Sequence, residues 1–512
     1  MLSWLRIGNT DHPLEDKSEA RRFVEALRDK TDIAALEEVA QQLDSIKMSD
    51  ALRPMRAFEI VELLDRTARP FLRSLTTQYV AGAEKLTRFK QHRAWFTATS
   101  FLTQLSEGYR TCLSRFEVGA VGATTLKPHL PKICGRAIRA NAAQVKWSLL
   151  HYSQVDPELW EQIARVYASA EAGSFAPWLV TMYRGERGES SVAREFLRAL
   201  MLGVCAPDAL LPIQIELADR IIARCADAFE LSSAPHKTLR HTIDLSAPLA
   251  PGRRKSAPGN ERTPRFFGAG EAAARIATWK AELEHSAAVP VDLNLGLEIR
   301  APVLLDTLEH LTHHWALTPE RKQIRRRRQE QISVVHEYAE VVANVGALFL
   351  ESPFVSNDEQ WSLENTSANG LGARVPKAAG DWIQVGSLIG VLRKGRSAWA
   401  PAIIRRISGD VGGQRNVGIE LLAEGGAAVT VFAVKAVRGS PVSAEGELCV
   451  LLASSSKRTD EAKLLLRPGI FTQGRELEMH AYDRRYLLKP ATILKSGDDF
   501  ELARFRVQAL DQ

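Results

Sequence analysis

From residue 13 to about 230, apolar positions recur three and four apart, the period of helices with one buried face. Phe58, Val61 and Leu64 form one such set, and Phe71, Leu72 and Leu75 another, with Pro70 between them as a break or kink. Trp95, Phe96, Phe101, Leu102 and Leu105 form a third set, and Phe196, Leu197, Leu200 and Met201 a fourth. Stops fall at Gly119 to Gly122, Pro128 to Pro131 and Gly185 to Gly188. Asp156-Pro157-Glu158 reads as a helix start, with Asp as the cap and Pro in the first turn. Strand-like alternation is nearly absent before 235, so residues 1–233 are expected to form an all-α domain of antiparallel helix pairs.

The texture then changes. His241 to Leu245 has the look of a strand, and Pro248 to Asn260 is rich in Pro, Gly and Arg, a composition too polar to order itself by burial. Two helices are expected at 270–286 and 301–316, the second with Leu304, Leu305, Leu308, Leu311 and Trp315 on one side. Residues 234–319 are therefore taken as a linking segment. After 330 the side-chain period becomes two. Strands are expected at 332–336, 361–364, 371–375, 383–393, 399–407, 417–423 and 428–437, separated by turns such as Gly409 to Gly413 and Gly425-Gly426. Short strands at this spacing imply a closed barrel, which removes exposed edges. The expected fold is thus α+β and multidomain: an antiparallel β-barrel at 320–442 follows the helices, and 443–512 forms a second small β domain or an extension of the first barrel.

Composition adds limits. At 512 residues, with 45% hydrophobic and 25% charged positions, the chain is globular and long enough for several domains. The net charge is only +6, so an anionic partner is a matter of one local surface. Cys112, Cys134, Cys205, Cys225 and Cys449 are odd in number and widely spaced, which argues against a disulfide or metal framework and fits reduced core thiols. No apolar run is long enough for a membrane span. The first residues meet acid by Asp11 and do not read as a signal peptide, so a cytoplasmic location is expected.

Three clusters invite chemistry and read better as structure. Lys90, His92 and Arg93 precede Trp95, a mixture that can touch nucleic acid but also describes a solvated helix face with Trp95 in the core. Glu158, Glu161 and Glu171 lie on strongly helical sequence without a neighbouring His, and read as surface charge. His313 and His314 point about 100° apart on a helix and cannot easily share one ion. Motifs of enzymes are missing as well: no G-x-x-x-x-G-K-[ST], no H-E-x-x-H, no G-x-S-x-G. The chain is read as a non-enzyme.

The stretch that stands out is 321–370. Arg321-Lys322-Gln323-Ile324-Arg325-Arg326-Arg327-Arg328 carries six fixed positive charges in eight residues. So dense a cluster repels itself, and belongs in solvent or against a polyanion. Strand-like alternation follows at once. Further on, Asn365, Ser367 and Gly370 have the make-up of a tight polar turn, with Gly370 free to take positive φ.

Together these parts resemble the PilZ domain, a small β-barrel family that binds cyclic di-GMP. That family carries Arg-x-x-x-Arg before its first strand and Asp/Asn-x-Ser-x-x-Gly at a later turn. Arg321 with Arg325, and Asn365 with Ser367 and Gly370, fit that pattern; a second register, Lys322 with Arg326, is open. The gap from Arg325 to Asn365 is long for the family because 337–360 adds a helix-like insert. The resemblance implies cyclic di-GMP as ligand, held by Arg321, Arg325 or Arg326 and by Asn365, Ser367 and Gly370. Arg suits such a ligand because its planar fork matches both phosphate oxygens and the guanine O6/N7 edge. The resemblance further implies output through an unidentified protein partner of the helical domain, in motility, pilus or biofilm control. Two other readings stay open: a ligand-free PilZ-like interaction scaffold, and nucleic-acid binding through 321–328 and 251–265. The β region lacks aromatics near the basic run for stacking bases, which weighs against the latter.

Overall fold

The computed structural model describes residues 12–47, 52–81, 87–186, 188–247, 249–254, 262–286, 288–293, 299–316, 326–346, 358–376, 380, 382–409, 414–434, 446–453, 460–481 and 484–510. Arg321, Lys322 and Arg325, the linker at 255–260 and the turn at 410–413 lie outside these residues. The chain divides into two compact units, Met1–Pro319 and Glu320–Gln512.

The first unit opens with helices α1 (Lys17–Ala26), α2 (Asp32–Lys47), α3 (Pro54–Ala81), α4 (Arg88–Glu117), α5 (Leu130–Leu150), α6 (Pro157–Ala172), α7 (Val192–Gly203) and α8 (Pro212–Arg224). Local chemistry sets their limits. Asp156 accepts a hydrogen bond from the Glu158 N–H at 2.9 Å, with Pro157 in the first turn of α6. Thr87 and Ser191 cap α4 and α7 in the same way. Pro70 does not break its helix: α3 runs unbroken through it. Proline removes one intrahelical donor, and apolar burial on both sides of it, at Leu64, Ala68 and Leu75, holds the helix together.

Apolar side chains from all of these helices share one core, with Trp147, Phe58, Phe101 and Phe196 fully buried in it. Phe96 departs from the expected pattern and is exposed, while Trp95 is half-buried and stacks on His151 at 4.9 Å. Glu171 is held by Arg265 and by the Tyr167 hydroxyl at 3.0 Å, a structural partnership.

Polar groups are also sunk into this core. The Asp65 carboxylate accepts the hydroxyls of Tyr109 at 2.5 Å and Tyr183 at 2.9 Å, with the Arg136 guanidinium at 3.6 Å. Burial raises the Asp65 pKa against the pull of Arg136 and the two hydroxyls, and burial together with the Asp65 charge raises Tyr109 well above its ordinary value. Arg139 donates to Glu195 at 2.6 Å and to Glu186 at 2.8 Å, and Lys146 bridges Glu216 and Asp219 at 2.9 and 2.8 Å. Each charge meets an opposite one, which is the condition for tolerating it inside a protein.

The unit is not purely helical past α8. Strands β1 (Glu230–Ser232), β2 (His241–Asp244), β3 (Gly252–Arg253) and β4 (Pro264–Gly268) form a small sheet in the order β1-β4-β2-β3. Helices α9 (Ala272–Ser286) and α10 (Ala301–Ala316) follow.

The second unit holds two closed six-stranded barrels. The first consists of β5 (Arg326–His336), β6 (Glu359–Thr366), β7 (Gly370–Arg374), β8 (Leu388–Arg393), β9 (Ala400–Gly409) and β10 (Arg415–Leu421), in the order β10-β7-β6-β5-β8-β9. Its interior is lined by Ile332, Val334, Trp361, Leu363, Ala373 and Val417. The second consists of β11 (Gly426–Ala433), β12 (Glu447–Leu452), β13 (Glu461–Leu466), β14 (Leu477–Ala481), β15 (Arg484–Ser496) and β16 (Glu501–Ala509), around Leu464, Leu488 and Phe505. The segment expected as the first barrel's last strand, 428–437, is a correction: as β11 it pairs with β12 and β14 and begins the second barrel. Periodicity marks a strand but not its partner.

One helix, α11 (Tyr338–Gly346), is the insert expected after β5. Val341, Val342 and Val345 pack with Leu388 and Ile403 of the first barrel and with Val450, Leu465 and Leu502 of the second. The Tyr338 hydroxyl lies 3.2 Å from the Leu448 carbonyl and 3.1 Å from that of Leu465. The long gap that sets this barrel apart thus forms the apolar wedge that joins it to its neighbour.

Candidate functional site

The basic run does not stop where the alternation begins. β5 starts at Arg326, six residues before the expected strand at 332, because charged side chains can form a ladder wherever both faces stay wet. Arg326, Arg327 and Arg328 are exposed. In the ladder with β6, Arg326 stands opposite Thr366 and Arg327 opposite Asn365. A bulge then intervenes between Arg327 and Glu330, and β6 carries a second irregularity against β7 between Leu363 and Asn365. Bulges at barrel rims re-aim side chains, and here two of them flank Asn365.

Asn365 is half-buried, and its amide makes no hydrogen bond among the described residues. It lies across the β6–β7 ladder over Gly372: a Cβ placed there would stand 2.6 Å from Asn365 Nδ2. Beyond it, the Ser367 N–H donates to the Gly370 carbonyl at 2.7 Å and closes the hairpin, with the Ser367 hydroxyl 3.3 Å from the same oxygen. Gly370 is not in the left-handed region expected of it. Its small size matters instead, since a Cβ there would lie 3.0 Å from Ser367 Oγ.

Next to this turn is a cavity of about 90 Å³, lined by Ser367, Gly370, Leu371, Arg405, Arg406 and Gly418. β9 and β10 supply its far wall. Arg405 sits at an irregularity between Gly418 and Ile419, and its Nε reaches Glu420 at 2.5 Å. Lys495 of β15 meets the other oxygen of Glu420, which ties the second barrel to this corner of the first. Burial raises the Glu420 pKa, but Lys495 and Arg405 outweigh it and keep the carboxyl below its ordinary value. Near Asn365, Glu364 is held by Arg374 at 2.6 Å, so its charge is met.

Of the residues singled out in the sequence, Arg326, Asn365, Ser367 and Gly370 gather at one end of the barrel, while Arg321 and Arg325 lie outside the described residues. Sequence reasoning missed Arg327, Gly372, Arg406 and Gly418. Arg327 lies within the basic run, but only the pairing of strands sets it against Asn365, and no local signal marks Gly372, Arg406 or Gly418. No group of three or more His, Cys, Asp or Glu side chains among the described residues can hold a metal ion. The five cysteines are free and buried. Among the described residues no helix is long and apolar enough to cross a membrane.

Two family models match the chain. Residues 18–236 match one described as the N-terminal domain of the cyclic-di-GMP receptor FimW, and residues 356–427 match one described as its middle PilZ domain. The first takes in the helices of the first unit up to α8, and the second runs from β6 through β10. The basic run lies outside both, and so does the second barrel apart from the first two residues of β11. No curated protein matches the chain. The C-terminal half of the chain therefore carries a PilZ domain, and its helical part is similar to the N-terminal domain of the cyclic-di-GMP receptor FimW.

Proposed function

We propose that this chain is a cyclic di-GMP receptor whose nucleotide lies at the end of the first barrel. The contacts come from Arg321, Arg325 and Arg326, from Asn365 and from the Ser367–Gly370 turn. The observation that carries the reading is the register that sets Arg327 against Asn365, since it brings the basic run and the polar turn to one place. The exposed guanidinium groups suit the phosphates and the guanine O6/N7 edge. The Asn365 amide, with no hydrogen-bond partner among the described residues, offers both a donor and an acceptor to a base edge.

In this reading the ligand draws the basic run onto the barrel. That run begins where the helical unit ends, so its capture repositions the helical unit and changes how that unit meets a protein partner. The output belongs with motility, pilus or biofilm control, and the protein works in the cytoplasm as a binding protein, not an enzyme. Titration calorimetry with cyclic di-GMP on wild type and Arg325→Ala tests the reading. Saturable heat with the wild type and a tenfold to hundredfold weaker response in the variant are expected, the cost of one lost bidentate guanine contact being about 1–3 kcal/mol. Equal heats for both, or none for either, overturn it.

A further inference from the structure

The register extends past Arg327 and Asn365. Asn365 stands opposite Gly372, Gly372 opposite Gly418, and Gly418 opposite Arg406. One lateral row thus crosses five strands, β5, β6, β7, β10 and β9. Residues directly opposite in a ladder share a face. The neighbours Leu371, Ala373, Val417, Ile419 and Ile407 are buried, so the row lies on the outside of the barrel.

Along this row the side chains are uneven. Both ends are arginines, and Arg327 and Arg406 are both exposed. The third and fourth positions are glycines and raise nothing above the backbone. A Cβ on Gly372 would meet the Asn365 amide at 2.6 Å, and one on Gly418 would stand 3.3 Å from Arg406 Cβ. The two glycines therefore make a low floor, with the Asn365 amide lying over one and the Arg406 stem beside the other. With strands about 4.8 Å apart, the end residues are about 19 Å apart around the barrel wall. That leaves room between the two arginines for a ligand carrying two separated negative charges.

The cavity beside Arg406 narrows the chemistry. At about 90 Å³ it has room for a phosphate-sized group. Its wall offers the Ser367 hydroxyl, and the charge of Arg405 is met by Glu420. We propose, resting on the function proposed above, that Arg406 is a second cationic contact of the nucleotide. With the Ser367 hydroxyl it holds the phosphate farther from the basic run, and so makes the site select a ligand with two phosphates over a mononucleotide. A guanidinium fork suits this task, since two parallel N–H bonds fix a phosphate in direction as well as in charge.

Calorimetric titration of the full chain with cyclic di-GMP and, separately, with GMP tests the proposal on wild type, Arg406→Ala, Arg406→Lys, Asn365→Ala and Lys463→Ala. Arg406→Ala is expected to weaken cyclic di-GMP about tenfold to a hundredfold and to change GMP binding little. Arg406→Lys, which keeps charge but loses the fork, should fall between. Lys463, exposed on the second barrel, serves as the unaffected control. Should Arg406→Ala lose the far-ultraviolet dichroism of the wild type, Arg406→Gln is read in its place. A wild type that binds and loses affinity on Asn365→Ala but not on Arg406→Ala overturns this inference alone, as does an equal loss for both nucleotides. A wild type with no heat for cyclic di-GMP removes the proposed function and this inference with it.

Discussion

Arg327 and Asn365 face each other across the β5–β6 ladder, at the end of the first barrel. The pair joins a cationic run, which arrives from the helical unit, to a polar hairpin built into the barrel. Neither residue is engaged by another described side chain, and irregularities between Arg327 and Glu330 and between Leu363 and Asn365 loosen the ladders next to the pair. A strand pair that existed only for stability would have little use for such irregularity.

The first prediction concerns the floor under Asn365. Gly372→Val puts a side chain where the Asn365 amide now lies, since even a Cβ would come within 2.6 Å of Nδ2. The amide must swing away while the buried neighbours Leu371 and Ala373 keep the strand in place. Cyclic di-GMP affinity is expected to fall about tenfold or more, matching Asn365→Ala, with the dichroism spectrum unchanged. Undiminished binding by Gly372→Val would mean that the amide's position is irrelevant to the ligand.

Much of this architecture is legible in the sequence, and the reasons differ by element. Alternation such as Ile332 to His336 exposes the strands because one face of each is buried in the barrel. The turn at Ser367–Gly370 is legible because its residue types are demanded by local geometry alone. Arg406 and the two floor glycines are not, because their meaning comes from register: Gly372 meets Gly418 across the β7–β10 ladder, and Gly418 meets Arg406 across the β9–β10 ladder. For a related reason periodicity does not say which barrel β11 joins: its hydrophobic pattern is the same in either sheet. Pro70 is the opposite case: its local signal implies a break or a kink, and with burial on both sides α3 runs through it without a break.

The second prediction addresses the wedge between the barrels. Tyr338 on α11 reaches two backbone carbonyls of the second barrel, at Leu448 and Leu465, while its ring packs with residues of both barrels. Tyr338→Phe keeps the packing and removes the hydroxyl. The loss should be about 1 kcal/mol, rising toward about 3 if the carbonyls stay dry. Urea unfolding followed by dichroism measures it; no change in midpoint would show that the hydroxyl contributes nothing net.

A third prediction follows from His241. Its ring is buried in the small sheet, stacked at 5.4 Å on Phe267, with Arg253 directly opposite in the ladder and Nδ1 unpartnered. Burial first, then Arg253 and Arg240, brings its pKa down from 6.5 to about 4. The folded state thus prefers the neutral ring. Above pH 6.5 both states are neutral and stability is complete. As the pH falls toward 4 the unfolded chain takes up the proton first, and stability is lost across that window. The loss approaches about 3 kcal/mol. His241→Phe should flatten the pH dependence of the urea midpoint between pH 7 and pH 4; an unchanged slope would place the titration elsewhere.

The last prediction uses the buried polar core of the helical unit to separate two costs that are easily confused. Tyr109→Phe removes one hydroxyl from Asp65 but leaves Tyr183 bonded to the same carboxylate at 2.9 Å. A hydrogen bond to a charged group is worth about 1.5–3 kcal/mol, and that range bounds the loss. Asp65→Ala is different in kind. It leaves Arg136, only 4% exposed, with its nearest remaining carboxylate at Glu62, 3.2 Å away and partly in solvent, and it takes the acceptor from the hydroxyls of Tyr109 and Tyr183. Breaking a buried ion pair by removing one partner costs about 3–5 kcal/mol, because the desolvation of the other charge is no longer offset. Asp65→Ala should therefore destabilise the helical unit more than Tyr109→Phe, and combining the two should cost less than their sum, since both act on one network. A double-mutant cycle on urea midpoints reads this directly, and strict additivity would mean that Asp65 and Tyr109 act on the fold independently.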